Sequence, residues 1–203
     1  GALCRGASVA IIAPDTVLNP ELFTQELLRQ QVTSMMITVS LFNQYRLSLA
    51  PVLSRLRYCL VGGEAVDPVA MLETLSNSPP QVFINDYGPT ETTVFATCHR
   101  MVEADRGKTS IPIGTPVDNT QIYILDAHKQ PVPTGVVGEM YVGGAQVARG
   151  YWNRPDINAE RFLENPYGLA TDGALARLYR TGDLARWTNS GEVEFIGRND
   201  SQI

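Results

Sequence analysis

The sequence predicts an α/β fold in which a parallel sheet with flanking helices is followed by a small, distorted β-barrel. Up to about residue 100, short apolar runs alternate with helical segments, the order of elements that produces a parallel sheet covered by helices. After about residue 101, short strand-like runs are separated by glycine and proline. We therefore divide the chain into an α/β part, residues 1–100, and a β-rich part, residues 101–203.

Four apolar runs in the α/β part are typical of strands. They cover residues 8–13, 34–40, 58–61 and 82–85. The last three are predicted to be fully buried, because they are short and continuously apolar. Helices are predicted between the runs, over residues 21–31, 41–45 and 69–76.

Two of these helices carry capping signals at their starts. Asn19 precedes Pro20 and Asp67 precedes Pro68, and an N-cap side chain followed by proline at the first helical position favours a helix start. In the first helix, apolar side chains recur near one face, which predicts its buried side. That face consists of Leu22, Leu27 and Leu28.

The β-rich part contains five short runs that predict strands. They cover residues 120–125, 138–142, 178–180, 184–187 and 193–196. The segment Asn189-Ser190-Gly191 is typical of a hairpin turn and joins the last two runs. One helix is predicted over residues 155–163, with Asn153 or Arg154 before Pro155 at its first position.

Composition excludes several classes of protein. The 203 residues are 44% hydrophobic and 18% charged, unlike disordered, collagenous or coiled-coil chains. A net charge of -5 predicts no nucleic-acid partner.

Cys4, Cys59 and Cys98 fit neither a disulfide framework nor a zinc site. With no apolar run of about 18 residues and no signal-peptide pattern, we expect a soluble, cytoplasmic protein with no membrane partner.

The segment NDYGPTETT, residues 85–93, is the strongest local signal for a ligand site. It follows a predicted buried strand, and ligands of open α/β sheets bind beyond the carboxyl ends of such strands. Tyr87 offers a ring for a base, Thr90 a donor for a phosphate oxygen and Glu91 a ligand for a hard cation. Taken alone, the composition favours the alternative of a plain loop with a solvated glutamate.

Other segments are weaker signals. Gly62 and Gly63 follow a predicted strand and permit a close approach of backbone to ligand, whereas the glycine-rich run 143–150 lacks the spacing of a dinucleotide fingerprint.

Asp183 follows a turn, where it is placed either to accept ribose hydroxyls or to bond its own backbone. His99 and His128 lack partners at metal-ligand spacing, so we expect structural or exposed roles for them.

Six segments, taken together and in order, resemble the adenylation domains of nonribosomal peptide synthetases. They are GGEAV at residues 62–66, NDYGPTETT at 85–93, PIGTPVDNTQIYILD at 112–126, GEMYVGGAQVARGYWNRPDINAERF at 138–162, YRTGDLARW at 179–187 and GRNDSQI at 197–203. Because the order and spacing match the family over nearly the whole chain, chance is a remote explanation. The resemblance implies that the α/β part is a piece of a flavodoxin-like layered subdomain.

The resemblance implies an activity with its cofactors and partners. The family uses ATP and Mg²⁺ to convert an amino acid to aminoacyl-AMP with release of pyrophosphate. It then passes the acyl group to the phosphopantetheine thiol of a carrier-protein domain, in an assembly line that also contains a condensation domain. Catalysis needs a cation and hydrogen-bond donors because two anions react, so no Ser-His or Cys-His pair is expected.

Carried over by position, the resemblance assigns roles to individual residues. Tyr87 stacks on adenine near Asn85 and the Gly62-Gly63 turn. Thr90 contacts the α-phosphate and Glu91 holds Mg²⁺. The remaining assignments are Asp183 on the ribose hydroxyls, Arg198 on the ribose and phosphate side, Phe195 near the sugar, and Asp200 as the hinge to a C-terminal domain.

The resemblance also implies a pocket for the substrate side chain. Its residues here are Met36, Leu60, Gly62, Asp86, Val94 and Phe95. The apolar members favour an aliphatic amino acid such as leucine. Asp86 indicates instead a polar or basic substrate, or a side chain that points outward, because an unpaired carboxylate in such a pocket is costly.

The chain also departs from the family. Gln146 stands where the family usually has glycine, and a positive φ there would strain it. The family's pyrophosphate-binding loop, its ammonium-binding aspartate and its C-terminal lysine have no counterpart in residues 1–203, so we expect a fragment that is inactive by itself. An acyl- or aryl-CoA ligase and a degenerate nucleotide-binding module are the alternative functions.

Overall fold

The computed structural model describes residues 2–169 and 175–199. Their contacts form two compact units. The first unit comprises Gly1–Ile84 with Met101–Gly107, and the second comprises Asn85–Arg100 with Lys108–Ile203. The predicted boundary near residue 100 stays a prediction.

The first unit consists of helices and parallel strands. Its elements are α1 (Pro14–Val17), α2 (Pro20–Arg29), β1 (Ser34–Thr38), α3 (Val39–Tyr45), α4 (Ala50–Leu53), β2 (Tyr58–Gly62), α5 (Pro68–Asn77) and the start of β3 (Val82–Tyr87). Strands β1 and β2 pair in parallel, with Met36 opposite Leu60 and Thr38 opposite Gly62. Phe42 and Phe83 are almost fully buried, with their ring centroids 5.9 Å apart. The predicted α/β character is confirmed.

Both predicted caps are present in the first unit. The Asn19 side chain accepts hydrogen bonds from the amides of Glu21 and Leu22 at 3.0 and 3.1 Å. Asp67 accepts from the amide of Val69 at 2.9 Å. The buried face of α2 was predicted only in part, because Phe23, Thr24 and Leu27 are buried whereas Leu22 is exposed.

Two predictions for the first unit are wrong. Residues 8–13 form no strand and are largely exposed, because no strand of the described residues pairs with them. Strand β1 is not fully buried: Ile37 is buried but Met36 is 48% exposed. Strand β1 lies at the edge of its sheet, beside β2.

The second unit contains the end of β3 and a second, antiparallel sheet. Its further elements are β4 (Thr97–Arg100), β5 (Thr115–Pro116), β6 (Thr120–Leu125), β7 (Gly138–Gly144), α6 (Pro155–Arg161), β8 (Phe162–Leu169), β9 (Leu175–Trp187) and β10 (Val193–Arg198). The second sheet has the order β10-β9-β7-β6, and β8 pairs with β9. One core cluster backs this sheet, formed by Ala96, Ile113, Ile122, Ile124, Met140, Val142, Ala185 and Val193.

Strand β9 corrects a further prediction, because the two runs at 178–180 and 184–187 belong to one strand. The turn predicted between them is a bulge, at which the pairing of β7 with β9 shifts between Glu139 and Tyr141. Gly182 has a φ of 79° within it. Strand β8 was not predicted, and α6 ends at Arg161, before the expected end at residue 163.

No helix in the described ranges 2–169 and 175–199 has the length and apolar character needed to cross a membrane.

Candidate functional site

The end of β3 and the loop after it form a compact turn in the second unit. Asn85 is buried and donates from Nδ2 to the carbonyl of Pro112 at 2.8 Å. The amide of Ala96 donates to the carbonyl of Tyr87 at 2.8 Å and closes the loop. A Cβ at Gly88 would lie 2.0 Å from the carbonyl oxygen of Val94, so only glycine fits there.

Tyr87, Asp183 and Arg198 meet in one cluster, which we call the carboxylate cluster. The Tyr87 hydroxyl donates to Oδ2 of Asp183, and Nη1 of Arg198 donates to Oδ1 at 2.9 Å. The pairing of β9 with β10 places Arg198 opposite Asp183. The family resemblance assigns these three residues to one ligand although Tyr87 and Asp183 are 96 positions apart, and the structure brings them together.

The backbone at Asp183 is held in place by the side chain of Thr181. The Asp183 amide donates to Oγ1 of Thr181 at 2.9 Å, and that hydroxyl donates to the carbonyl of Met140 at 2.7 Å. Asp183 is only 6% exposed. Burial, reinforced by the nearby negative charge of Asp183, raises the pKa of Tyr87 well above its ordinary value, so the phenol remains a donor.

The carboxylate cluster is suited to a ligand with a ring and hydroxyl groups. Asp183 is a buried carboxylate that accepts hydrogen bonds at both of its oxygens. Tyr87 and Phe195 both pack, partly buried, against the core cluster of the second sheet. An aromatic face, a carboxylate and a guanidinium together match the base, sugar and phosphate of a nucleotide.

Thr90 and Glu91 begin a 3₁₀ turn, Thr90–Thr92, directly after Gly88 and Pro89. Thr90 is exposed. The Tyr151 hydroxyl donates to Oε1 of Glu91 and lies 3.4 Å from the Tyr179 hydroxyl, while the Glu91 carbonyl accepts from the amide of Ala148 at 2.8 Å. Burial raises the pKa of both tyrosines, which keeps them protonated.

Glu91 has the chemistry of a ligand for Mg²⁺ but does not provide a complete protein site. No group of three His, Cys, Asp or Glu side chains suited to a metal occurs in the part of the chain that the structure describes. Mg²⁺ is typically held by one or two carboxylates, with substrate phosphates and water completing its shell. A carboxylate beside an exposed hydroxyl therefore fits Mg²⁺ that arrives with a phosphate ligand.

The segment after Glu91 has a backbone conformation that the sequence did not predict. Thr93 and Val94 have φ values of 59° and 73°, in the left-handed region, whereas Gln146 is not among the residues with positive φ. The condition for strain at Gln146, a positive φ, is therefore not met. Gln146 instead donates from Nε2 to the carbonyl of Phe95 at 2.9 Å and accepts from the Thr93 hydroxyl at its own carbonyl, also at 2.9 Å.

Three of the predicted pocket residues lie in the first unit. Met36 and Leu60 are register partners in β1 and β2, and Gly62 ends β2. Gly63 follows with a φ of 91°, which requires glycine. The nucleotide role predicted for Gly62 and Gly63 stays a prediction, as do the pocket roles.

The other three predicted pocket residues lie in the second unit, and Asp86 is the unusual one. Val94 is 48% exposed and Phe95 is partly buried, but Asp86 is only 3% exposed and its Oδ1 has no hydrogen-bond partner in the described structure. Burial raises the pKa of Asp86 to about 6. Asp200, the predicted hinge, lies outside the described residues.

Three residues near the site were not predicted to contribute to it. Tyr151 and Tyr179 form the hydroxyl pair at Glu91, and Gln146 was noted only as a departure from the family. Tyr151 and Glu91 are 60 positions apart, so no local pattern connects them. Their only signal was that each lies inside one of the quoted family segments.

Comparison with known sequences identifies close relatives. Residues 1–152 match the AMP-binding enzyme family. The chain is 42% identical to nonribosomal peptide synthetase asaC of Aspergillus flavus, an alignment that covers 99% of this chain and 20% of that protein. It is 41% identical to tyrocidine synthase 3 of Brevibacillus parabrevis, over all of this chain and 3% of that protein. The chain thus spans a fifth or less of these two relatives.

Comparison with solved structures gives the same picture. The chain matches PA1221, described as a nonribosomal peptide synthetase protein with adenylation and carrier domains, with a TM-score of 0.85 and 34% identity. The match covers 96% of this chain and 33% of that structure. NpsA-ThdA of Klebsiella oxytoca, at 24% identity and a TM-score of 0.79 over 89% of this chain and 35% of that one, supports the fold alone.

Proposed function

The chain belongs to the AMP-binding enzyme family, among the adenylation domains of nonribosomal peptide synthetases, and we propose that it forms part of an ATP-dependent amino-acid adenylation domain. Such a domain converts an amino acid to aminoacyl-AMP and transfers the acyl group to the phosphopantetheine thiol of a carrier protein. The partners that we propose are the amino acid, the carrier domain and a condensation domain of the same assembly line.

The carboxylate cluster is the observation that carries this proposal. Asp183 is buried and bonded to Tyr87 and Arg198, and its carboxylate is proposed to accept from the two ribose hydroxyls of ATP. Tyr87 lies at the end of β3 and is proposed to stack on adenine, and Phe195 packs on the same core. The Asn85 side-chain amide donates to the carbonyl of Pro112 and helps to fix the end of β3.

The first proposed reaction is a displacement at phosphorus. A carboxylate oxygen of the amino acid attacks the α-phosphorus of ATP, and the bond from that phosphorus to the pyrophosphate oxygen breaks. Mg²⁺ would neutralise negative charge on the phosphates. Glu91 is the side chain that would hold it, and the exposed Thr90 hydroxyl would donate to the α-phosphate.

The second proposed reaction transfers the acyl group. The carrier thiol, as thiolate, attacks the acyl carbon of aminoacyl-AMP, a thioester forms, and AMP leaves with the bonding electron pair. Asp200 is proposed as the hinge about which a C-terminal domain turns between the two reactions. The substrate side chain is proposed to contact Met36, Leu60, Gly62, Asp86, Val94 and Phe95.

The test is ATP/pyrophosphate exchange by the full-length protein, screened over proteinogenic amino acids and a set of aryl and fatty acids. Exchange driven by one amino acid supports the proposal. Exchange driven only by an aryl or fatty acid would assign the protein to the acyl or aryl ligases, and no exchange at all would favour a degenerate nucleotide-binding module.

Matched variants connect that activity to the site. Thr90→Ala and Glu91→Ala should abolish most of the exchange, and Asp183→Asn should weaken ATP binding. Asp156→Asn is the control, because Asp156 lies on α6 in an exposed pair with Arg154, where an ion pair contributes little. Loss of exchange in the control as well would point to general damage to the fold.

A further inference from the structure

The Thr93–Phe95 segment has a conformation that its residues do not favour by themselves. Thr93 and Val94 are β-branched and left-handed, with φ values of 59° and 73°. In this region Cβ crowds the backbone, so β-branched residues rarely adopt it unless their surroundings hold them there. The conformation directs Val94 outward, 48% exposed, four positions after Thr90.

Local contacts account for only part of this conformation. The Phe95 amide donates to the carbonyl of Thr93 at 3.0 Å, and the amide of Ala96 donates to the carbonyl of Tyr87. Gly88 allows the Val94 carbonyl to approach closely. These contacts fix the amides of Phe95 and Ala96 and the carbonyl of Thr93, but they leave the carbonyl of Phe95 to another donor.

That donor is Gln146, which contacts both ends of the segment. Its Nε2 donates to the Phe95 carbonyl, and its own carbonyl accepts from the Thr93 hydroxyl, so its two bonds bracket Val94. The loop that carries Gln146 is itself fixed, because the amide of Val147 donates to the carbonyl of Gly144 and the amide of Ala148 donates to the carbonyl of Glu91. Gln146 therefore connects the strained segment to the backbone at Glu91.

We infer that Gln146 is a positioning residue for substrate selection, holding Thr93–Phe95 in the conformation on which the affinity for the acid substrate depends. This inference rests on the proposed function, in which Val94 and Phe95 line the acid pocket while ATP is held by the carboxylate cluster. Loss of the amide donor should therefore weaken binding of the acid far more than binding of ATP.

The test compares Gln146→Glu with Gln121→Glu in the full-length protein. The first change keeps the shape of the side chain but replaces its donor by an acceptor that faces the Phe95 carbonyl. The control makes the same charge change at an exposed position of β6 in the same unit. Gln146→Met removes the donor without adding charge, and separates loss of the bond from repulsion.

The expected result is a split between the two substrates in ATP/pyrophosphate exchange. We expect KM for the acid to rise about fivefold to tenfold in Gln146→Met, the usual effect of one lost hydrogen bond, and further in Gln146→Glu. KM for ATP should change by less than about twofold in the same variants. Gln121→Glu should give the same KM values for acid and ATP as the unmodified protein. An unchanged KM for the acid, or an equal rise for acid and ATP, would overturn the inference.

Hydrogen exchange gives a second readout that needs no activity. The amides of Phe95 and Ala96 are both bonded within the loop, so peptides covering residues 88–98 should exchange faster in both Gln146 variants than in Gln121→Glu. Equal exchange would refute the positioning role. If none of the acids tested drives ATP/pyrophosphate exchange by the unmodified protein, the proposed function fails and so does the predicted effect on KM. Amide hydrogen exchange would still decide whether Gln146 holds the segment.

Discussion

Asp86 gives a quantitative prediction about stability. Its side chain is 3% exposed, its Oδ1 has no hydrogen-bond partner in the described structure, and burial raises its pKa from 3.8 to about 6. One pKa unit corresponds to about 1.4 kcal/mol, so a shift of this size corresponds to at most about 3 kcal/mol. Removing the charge with Asp86→Asn should remove that penalty at neutral pH.

The direction of the pH dependence follows from the raised pKa. Between pH 4 and 6 the folded protein keeps a proton on Asp86 that the unfolded chain releases, so the free energy of unfolding falls as the pH rises. The penalty becomes constant only well above pH 6, once Asp86 is ionised in both states. The stability of Asp86→Asn relative to the unmodified chain should therefore increase by about 1 to 3 kcal/mol between pH 4 and pH 8.

The assay is urea denaturation of the 203-residue chain from pH 4 to pH 8, followed by tryptophan fluorescence. Trp152 and Trp187 both belong to the second unit, as does Asp86, and Trp187 packs against its core. Any constant effect of the new amide cancels, because only the change with pH is used. Asp156→Asn is the control, since Arg154 lowers the pKa of Asp156 and predicts the opposite slope. A difference between Asp86→Asn and the unmodified chain that stays flat with pH would refute the burial argument.

Three further predictions concern the second unit. Asp183→Asn should raise KM for ATP about tenfold or more in pyrophosphate exchange, since charge-assisted bonds are the stronger ones, and a normal KM would contradict the ribose role. Tyr151→Phe should increase the Mg²⁺ concentration needed for half-maximal exchange, because Glu91 loses its hydroxyl donor; an unchanged Mg²⁺ titration would contradict this. Gly88→Ala should destabilise the chain by about 2 kcal/mol or more in urea denaturation, since the new Cβ meets the Val94 carbonyl. Gly191→Ala is the comparison: a Cβ there meets nothing within 4 Å, so only the cost of the positive φ is expected.

The parts of the fold that sequence predicts well are those that local interactions decide. The cap of Asn19 and the strand Thr120–Leu125 were predicted at the positions where the structure has them. The hairpin turn ending at Gly191 also joins β9 to β10 as predicted, and its positive φ of 78° favours glycine. In each case the residues that determine the element are within a few positions of it.

The failures concern properties that distant parts of the chain decide. The apolar run at residues 8–13 has the composition of a strand, but pairing needs a neighbouring strand that no local pattern specifies. Gly182 was interpreted as a turn because a bulge and a turn both favour glycine. Likewise the resemblance indicated Tyr87 and Asp183, but the bonds from Tyr151 to Glu91 and from Gln146 to Phe95 span 60 and 51 positions.

The carboxylate cluster is formed by interactions within the second unit. Asp183 and Arg198 lie on the two strands of one hairpin and are register partners, so folding of that hairpin is enough to bring them together. Tyr87 is fixed by packing against the core of the same unit. In the proposed nucleotide site these side chains are therefore ordered by the fold itself, and preorganisation of this kind lowers the entropic cost of binding. The Thr93–Phe95 segment differs, because its conformation depends on one side chain from a distant loop. Substitution at Gln146 should for this reason weaken binding of the acid while the carboxylate cluster stays intact.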